Sequence, residues 1–293
     1  TKAWKATSCL WWGVAAMGKL LSANFARLRK DLFFWCLLAA VIIASLVNIL
    51  NSARSFEVMT ESGYGLTLED YYFNQATLMG VYCALFASLL LGTEYSDGTI
   101  RNKLTVGHNR SHIYLSNFLV CLATSLTLLA AWLITCSLGF FLMGPMEMGV
   151  SGYVTYVLVA VGFTASITAL FTLVGSLSSN KAMTVIYTLA IFLILLLASS
   201  AIYDRLCEPE TQGGMVYING EFITIDPTPN PLYLSGAVRR VWECVLDFLP
   251  TGQALLMNEV AIEHPLREMI FSILFTVMVL SAGYAAFRRK DIK

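Results

Sequence analysis

Six stretches free of Asp, Glu, Lys and Arg mark out the chain: Leu32 to Leu50, Asn74 to Gly92, Ile113 to Leu142, Tyr153 to Ser179, Ala182 to Tyr203 and Met269 to Phe287. Each comes close to or exceeds the roughly 20 helical residues that cross a hydrocarbon core. Backbone N–H and C=O groups have no water partner there, so each stretch is expected to be helical. A closed barrel would instead alternate apolar and polar residues over segments of about ten. The pattern predicts an all-α membrane protein with six transmembrane helices.

The intervening segments carry their own patterns. Gly18 to Lys30 sets Leu20, Leu21, Phe25 and Leu28 on one face and Lys19, Arg27, Arg29 and Lys30 elsewhere, as an amphipathic helix in the membrane interface would. Residues 1–16 hold a short apolar run with no small-residue cleavage site and are expected to be a disordered lead-in, leaving 17–293 as a single transmembrane domain. The third connection is a short turn around Pro145, the fourth little more than Asn180 and Lys181, and the fifth about sixty residues long. Within the fifth, Met215 to Ile225 sets Asn219-Gly220 between β-branched and aromatic residues, which predicts a β-hairpin. Ala237 to Leu249 then spaces Val238, Val241, Trp242, Val245, Phe248 and Leu249 helically. Pro250 interrupts, and Gly252 to Ile262 resumes with Leu255, Leu256 and Val260. Both helices are too short to span and are expected to dip into, or lie on, the outer leaflet before the sixth span.

Composition agrees with this reading. Hydrophobic residues make up 57% and charged residues 13%, with a mean hydropathy of +0.68, whereas soluble domains are about a quarter charged. The net charge of zero gives no sign of a nucleic-acid partner. Where the charges lie is more informative. Fourteen Lys and Arg residues fall on the N-terminal segment, the second and fourth connections and the C-terminal tail, and five on the other side. The excess predicts that both termini are cytosolic. Cys36, Cys83, Cys121 and Cys136 lie within spans and Cys9 on the cytosolic side. Cys207 and Cys244 are therefore the one pair that could form a disulfide on the oxidising side.

Candidate chemistry narrows the function classes. Gly13 to Leu20 matches the phosphate-loop pattern GxxxxGK, but Leu20 stands where a Ser or Thr hydroxyl must hold magnesium, so ATP hydrolysis is not expected on this chain. His108 and His112 are four apart with no third ligand nearby, and no metal site is expected. No catalytic residues are expected either: the spans lack HExxH, paired carboxylates and a Ser/His pair. Proton- or sodium-coupled carriers usually place carboxylates or broken helices at mid-membrane, and none is evident. Gly162, Ser166, Thr168, Thr172 and Ser176 in the fourth span suit close helix packing better than a substrate groove.

The second connection, Gly92 to Arg110, leaves its span at Glu94, turns at Asp97-Gly98 and forms about two helical turns with Ile100 and Leu104 on one face. Glu94-x-x-x-Gly98-Thr99-Ile100-Arg101, directly after the second of six spans, resembles the coupling segment of bacterial type-two ATP-binding-cassette (ABC) export permeases. The amphipathic helix before the first span, Leu249-Pro250-Thr251-Gly252-Gln253 before the sixth, and the Arg288-Arg289-Lys290-Asp291 ending are similar to that family as well. The resemblance runs from about Met17 to Lys293.

It implies the membrane subunit of an ATP-driven exporter in the bacterial plasma membrane, carrying an amphipathic substrate out of the cytosol. A second permease copy or paralogue and a separate ABC ATPase subunit would be its partners, with ATP and Mg held by the ATPase and no cofactor on this chain. Glu94, Tyr95, Asp97, Gly98, Thr99, Ile100, Arg101 and Leu104 would form the partner-binding segment. Ile100 and Leu104 would insert into the ATPase, Glu94 and Arg101 would orient the segment, and Gly98 would permit its turn. The alternative is a membrane sensor that binds a compound through the long outer loop and transports nothing.

Overall fold

The computed structural model describes residues 17–63, 67–218 and 221–290. Residues 1–16, the Asn219-Gly220 turn and the last three residues of the tail, to which the sequence assigned a lead-in, a hairpin turn and part of the basic ending, lie outside the described residues. Helix α1 covers residues 17–30. Among the described residues, six helices are long and apolar enough to cross a membrane: α2 (Leu32–Glu61), α4 (Ala76–Ser96), α6 (Arg110–Cys136), α8 (Gly149–Leu177), α9 (Lys181–Cys207) and α12 (Pro265–Arg289). Short helices α3 (Glu69–Tyr72) and α7 (Gly139–Leu142) extend two of them, and α5 (Thr99–Thr105) lies between α4 and α6. Past α9 come an antiparallel strand pair, β1 (Thr211–Ile218) and β2 (Glu221–Pro229), and helices α10 (Gly236–Phe248) and α11 (Pro250–Asn258). The all-α membrane architecture read from the apolar runs is the one observed.

Several spans overrun their apolar runs. Helix α2 continues from Leu50 to Glu61, because helical hydrogen bonding does not stop where hydropathy falls. It begins at Asp31, whose carboxylate accepts the Phe33 N–H at 2.9 Å as an N-cap.

Helices α4, α6 and α8 form the interior. Of their most apolar windows 61%, 50% and 61% is buried, against 28%, 22% and 17% for α2, α9 and α12, whose remaining faces the chain itself leaves uncovered. Trp132, Phe86, Phe163 and Phe171 fill the centre. Tyr72 closes one end by donating to the Leu133 carbonyl at 2.7 Å, with the Tyr153 hydroxyl 3.1 Å away.

Small residues set the closest approaches. A Cβ on Gly92 would meet the Lys181 Cα at 2.9 Å, and one on Gly162 the Ser272 hydroxyl at 2.9 Å. Gly162 and Ser166 of the fourth span therefore pack toward α12, where the Ser166 hydroxyl donates to the Ser272 carbonyl at 3.0 Å, while Thr168 donates to Ser125 of α6 at 3.0 Å.

The spans have two distinct ends. The basic end carries α1, α5 and the Ser178–Asn180 turn; the hairpin end carries the strands, α10 and α11. Strand register pairs Ile218 with Glu221, as a two-residue Asn-Gly connection requires. Helix α10 is inverted relative to a soluble helix: Val238, Val241, Trp242 and Val245 form an exposed stripe, while Leu246 and Asp247 are buried. Helix α11 dips into the bundle and packs on α4, α8 and α9, with Thr251, Gln253, Ala254 and Met257 fully buried. Thr251 donates to the Leu195 carbonyl at 3.0 Å, and Gln253 to that of Asp247 at 2.7 Å. Cys207 is exposed, Cys244 partly buried, and both are free thiols here.

The α10–α11 corner has no room for a side chain. A Cβ at position 252 would lie 2.0 Å from the Leu246 carbonyl oxygen, a backbone atom that cannot rotate away. Gly252→Ala is expected to destabilise the chain by about 1–3 kcal/mol, the usual cost of overpacking, and to lower the thermal midpoint of purified protein in detergent.

Candidate functional site

The segment singled out in the sequence sits at the basic end, where α4 stops at Ser96 and the chain turns through Asp97 and Gly98. Gly98 takes φ +66°, a left-handed conformation that costs a residue without a Cβ little, and it opens α5. Lys103 lies in the last turn of α5, where a cation complements the helix dipole.

The geometry of the site is set by Glu94, which is only 2% exposed. One carboxylate oxygen accepts the Lys103 ammonium at 2.6 Å, and the other accepts the Asn117 amide at 2.7 Å. The Arg27 guanidinium stands 3.8 Å away. Asn24 of α1 donates to the Ser116 hydroxyl at 2.9 Å and accepts from Lys103 at 3.1 Å. One polar cluster thus joins α1, α4, α5 and α6, and the buried carboxylate has both of the partners that make its burial tolerable.

A second set of contacts ties down the helix ends around it. Tyr95 donates its hydroxyl to the Ser176 carbonyl. The Lys290 ammonium donates to the Ser176 and Ser178 carbonyls at 3.1 and 2.9 Å and lies 3.9 Å from the centre of the Tyr95 ring. Arg110 donates to the Phe287 carbonyl at 3.1 Å, at the last turn of α12. Cations thus satisfy the unpaired carbonyls at the C-termini of both α8 and α12. Burial pushes the Lys290 ammonium down to about 8.

The remaining predicted residues divide between two faces of α5. Ile100 is 2% exposed and packs with Leu20, Ile113, Tyr114 and Phe287, and Leu104 is half-buried against the same cluster. This corrects the expectation that Ile100 and Leu104 project outward into a partner: the apolar face of α5 is covered by α1, α6 and the end of α12. The exposed face carries Arg101, Asn102 and Thr105, followed by Val106 at 79% exposure. Thr99 is half-buried, and Asp97 is exposed with the Arg27 guanidinium 3.7 Å away. Arg101 makes no ion pair among the described residues. The cation beside Glu94 is Lys103, with Arg27 behind it.

Sequence reading missed Asn24, Lys103 and Asn117 as members of the site. Asn24 could have been found, since it is the one amide between Leu20 and Leu28 on an otherwise apolar stripe.

Glu94 and Lys103 are coupled across a buried contact, so their removal is expected to be non-additive. Glu94→Ala is expected to cost about 3–5 kcal/mol by stranding Lys103. Lys103→Ala in that background should cost about 1–3 kcal/mol less than in the wild type. Denaturant unfolding of the four proteins in mixed micelles measures the cycle.

The model for ABC-2 family transporter protein matches residues 20–202, a stretch that holds α1 from Leu20 on, the first four spans, most of the fifth, and α5 with its polar cluster. No curated protein matches the chain in sequence. The matched stretch is more than half of the chain, and a sixth apolar helix, α12, follows it. The chain belongs to the ABC-2 family of transporter proteins, as a membrane-spanning permease subunit.

Proposed function

We propose that this permease moves an amphipathic substrate out of the cytosol, driven by a separate ABC ATPase that docks on the outward face of α5 at the basic end. A second permease copy or paralogue completes the path. ATP and magnesium belong to the ATPase, and this chain supplies the moving helices and no bond-breaking group. The observation that carries this reading is the rigid mounting of α5. Glu94, Lys103, Asn117 and Asn24 tie it to three helices, while Arg101, Asn102, Thr105 and Val106 stay exposed. A force applied to that face passes directly into α1, α4 and α6. The excess of Lys and Arg at the same end supports a cytosolic orientation in a bacterial plasma membrane.

Replacing Arg101 by Glu and Val106 by Asp together alters only exposed positions. The double variant is expected to reach the membrane at normal levels and to retain at least tenfold less ATPase on affinity purification, a loss of about 1.4 kcal/mol or more in docking. Ile100→Asp should instead lower the amount of folded permease, since its side chain is internal. Full ATPase recovery by the double variant would remove α5 as the docking site.

Orientation is tested separately. In a cysteine-free background, a membrane-impermeant maleimide should label Glu61→Cys in intact cells and Asn109→Cys only after permeabilisation.

A further inference from the structure

Glu268 lies in the first turn of α12 at the hairpin end. Its side chain is 0% exposed, and neither carboxylate oxygen meets a hydrogen-bond donor among the described residues. Three neighbouring donors, Gln253, Ser272 and Arg267, are committed elsewhere. Gln253 gives its amide protons to the carbonyls of Asp247, at 2.7 Å, and of Glu268 itself, at 3.2 Å. Ser272 donates to the Gln253 side-chain oxygen at 2.8 Å. Arg267 points its guanidinium at the Asp247 carboxylate and the Cys244 sulfur.

A buried polar group without a partner requires an explanation, and an ionisable one requires it most. An ionised carboxylate here would be sealed from bulk solvent without a protein donor, and its cost would far exceed that of the neutral acid. Of the charged groups around it, Asp247 favours the neutral acid and Arg267 the ionised form. Asp247 of α10 repels a second negative charge, while Arg267, on the same helix as Glu268, is already engaged by Asp247. Tyr156 faces it from α8, with Glu69 beyond; α11 contributes only the neutral Gln253; Glu243 and His264 act on Asp247. None of these groups offers Glu268 a hydrogen-bonded counter-charge.

Glu268 sits where three elements close on one another. Next to it, α8 and α12 approach across Gly162 and Ser272, and α11 caps the seam through Gln253. We propose that Glu268 is a proton-binding site that holds this α8–α11–α12 seam shut: the closed seam binds one proton on the carboxyl, and opening the seam to water releases that proton to solvent. The linkage is reciprocal. Whatever opens the hairpin end lowers the proton affinity of Glu268, and raising the pH favours the open seam. This holds whichever way cargo moves, so it stands apart from the direction and drive proposed above.

The test is hydrogen–deuterium exchange of the full chain in lipid nanodiscs at pH 6 and pH 9, with each variant compared at the same pH so that intrinsic exchange rates cancel. Glu268→Gln keeps the shape of the neutral acid and cannot ionise. Wild type and E268Q are expected to protect peptides covering 250–258 and 265–272 equally at pH 6. At pH 9 the wild type should exchange at least tenfold faster there while E268Q stays protected. Glu268→Met, also neutral and of similar length, should behave as E268Q does and serves if the amide variant fails to accumulate. Equal exchange of wild type and neutral variants at pH 9 would overturn the proposal. So would wild-type protection that follows sodium concentration at fixed pH, because the occupant would then be a metal cation.

Discussion

The carboxylate of Glu94, buried where the second span meets the aqueous boundary, is the charge around which the basic end of the molecule is organised. Left alone it would be among the most costly groups in the chain. It is held instead by an ammonium from α5 and an amide from α6, with α1 closing the ring through Asn24. Because those partners come from different helices, satisfying one charge fixes the relative positions of four elements. The apolar cluster of Leu20, Ile100, Ile113, Tyr114 and Phe287 then fills the space beside it. A hydrophobic contact alone would tolerate sliding; directed hydrogen bonds to a buried charge do not.

Much of the architecture could be read in the sequence because membranes simplify the physics. Uncharged runs of the right length can only be helices, and the six runs found are the six spans seen. Their ends were less legible. A hydropathy limit set at Leu50 stops near Arg54, whereas backbone hydrogen bonding carries α2 on to Glu61. The hairpin was readable from Asn219-Gly220, because a two-residue turn of that composition fixes both the turn and the register of its strands.

What could not be read was which surface covers an amphipathic face. Ile100 and Leu104, one turn apart, announce that α5 has an apolar side, but the same spacing suits a partner protein or the chain's own bundle. Only the positions of Leu20 and Phe287, 80 and 187 residues away in sequence from Ile100, decide for the bundle. Glu268 was obscured in a related way. It falls one residue before the apolar run that begins at Met269, so it counted among outer loop charges, although the fold buries it completely. Helix α10 adds a third case: its apolar stripe faces away from the protein, which inside-out reasoning from soluble folds would reverse.

The contact between Asn24 and Ser116 also has a temporal side. Its two partners are separated by 92 residues, so a ribosome adding about 5 to 20 residues per second finishes the second roughly 5 to 20 seconds after the first. Throughout that interval α1 has emerged while α6, which supplies its polar partners, does not yet exist. The amide of Asn24 must remain hydrated at the bilayer surface until α4 and α6 have been inserted, and only then can α1 settle against them. Helix α1 is synthesised before the helices it packs against, and it reaches its final place only after the third span.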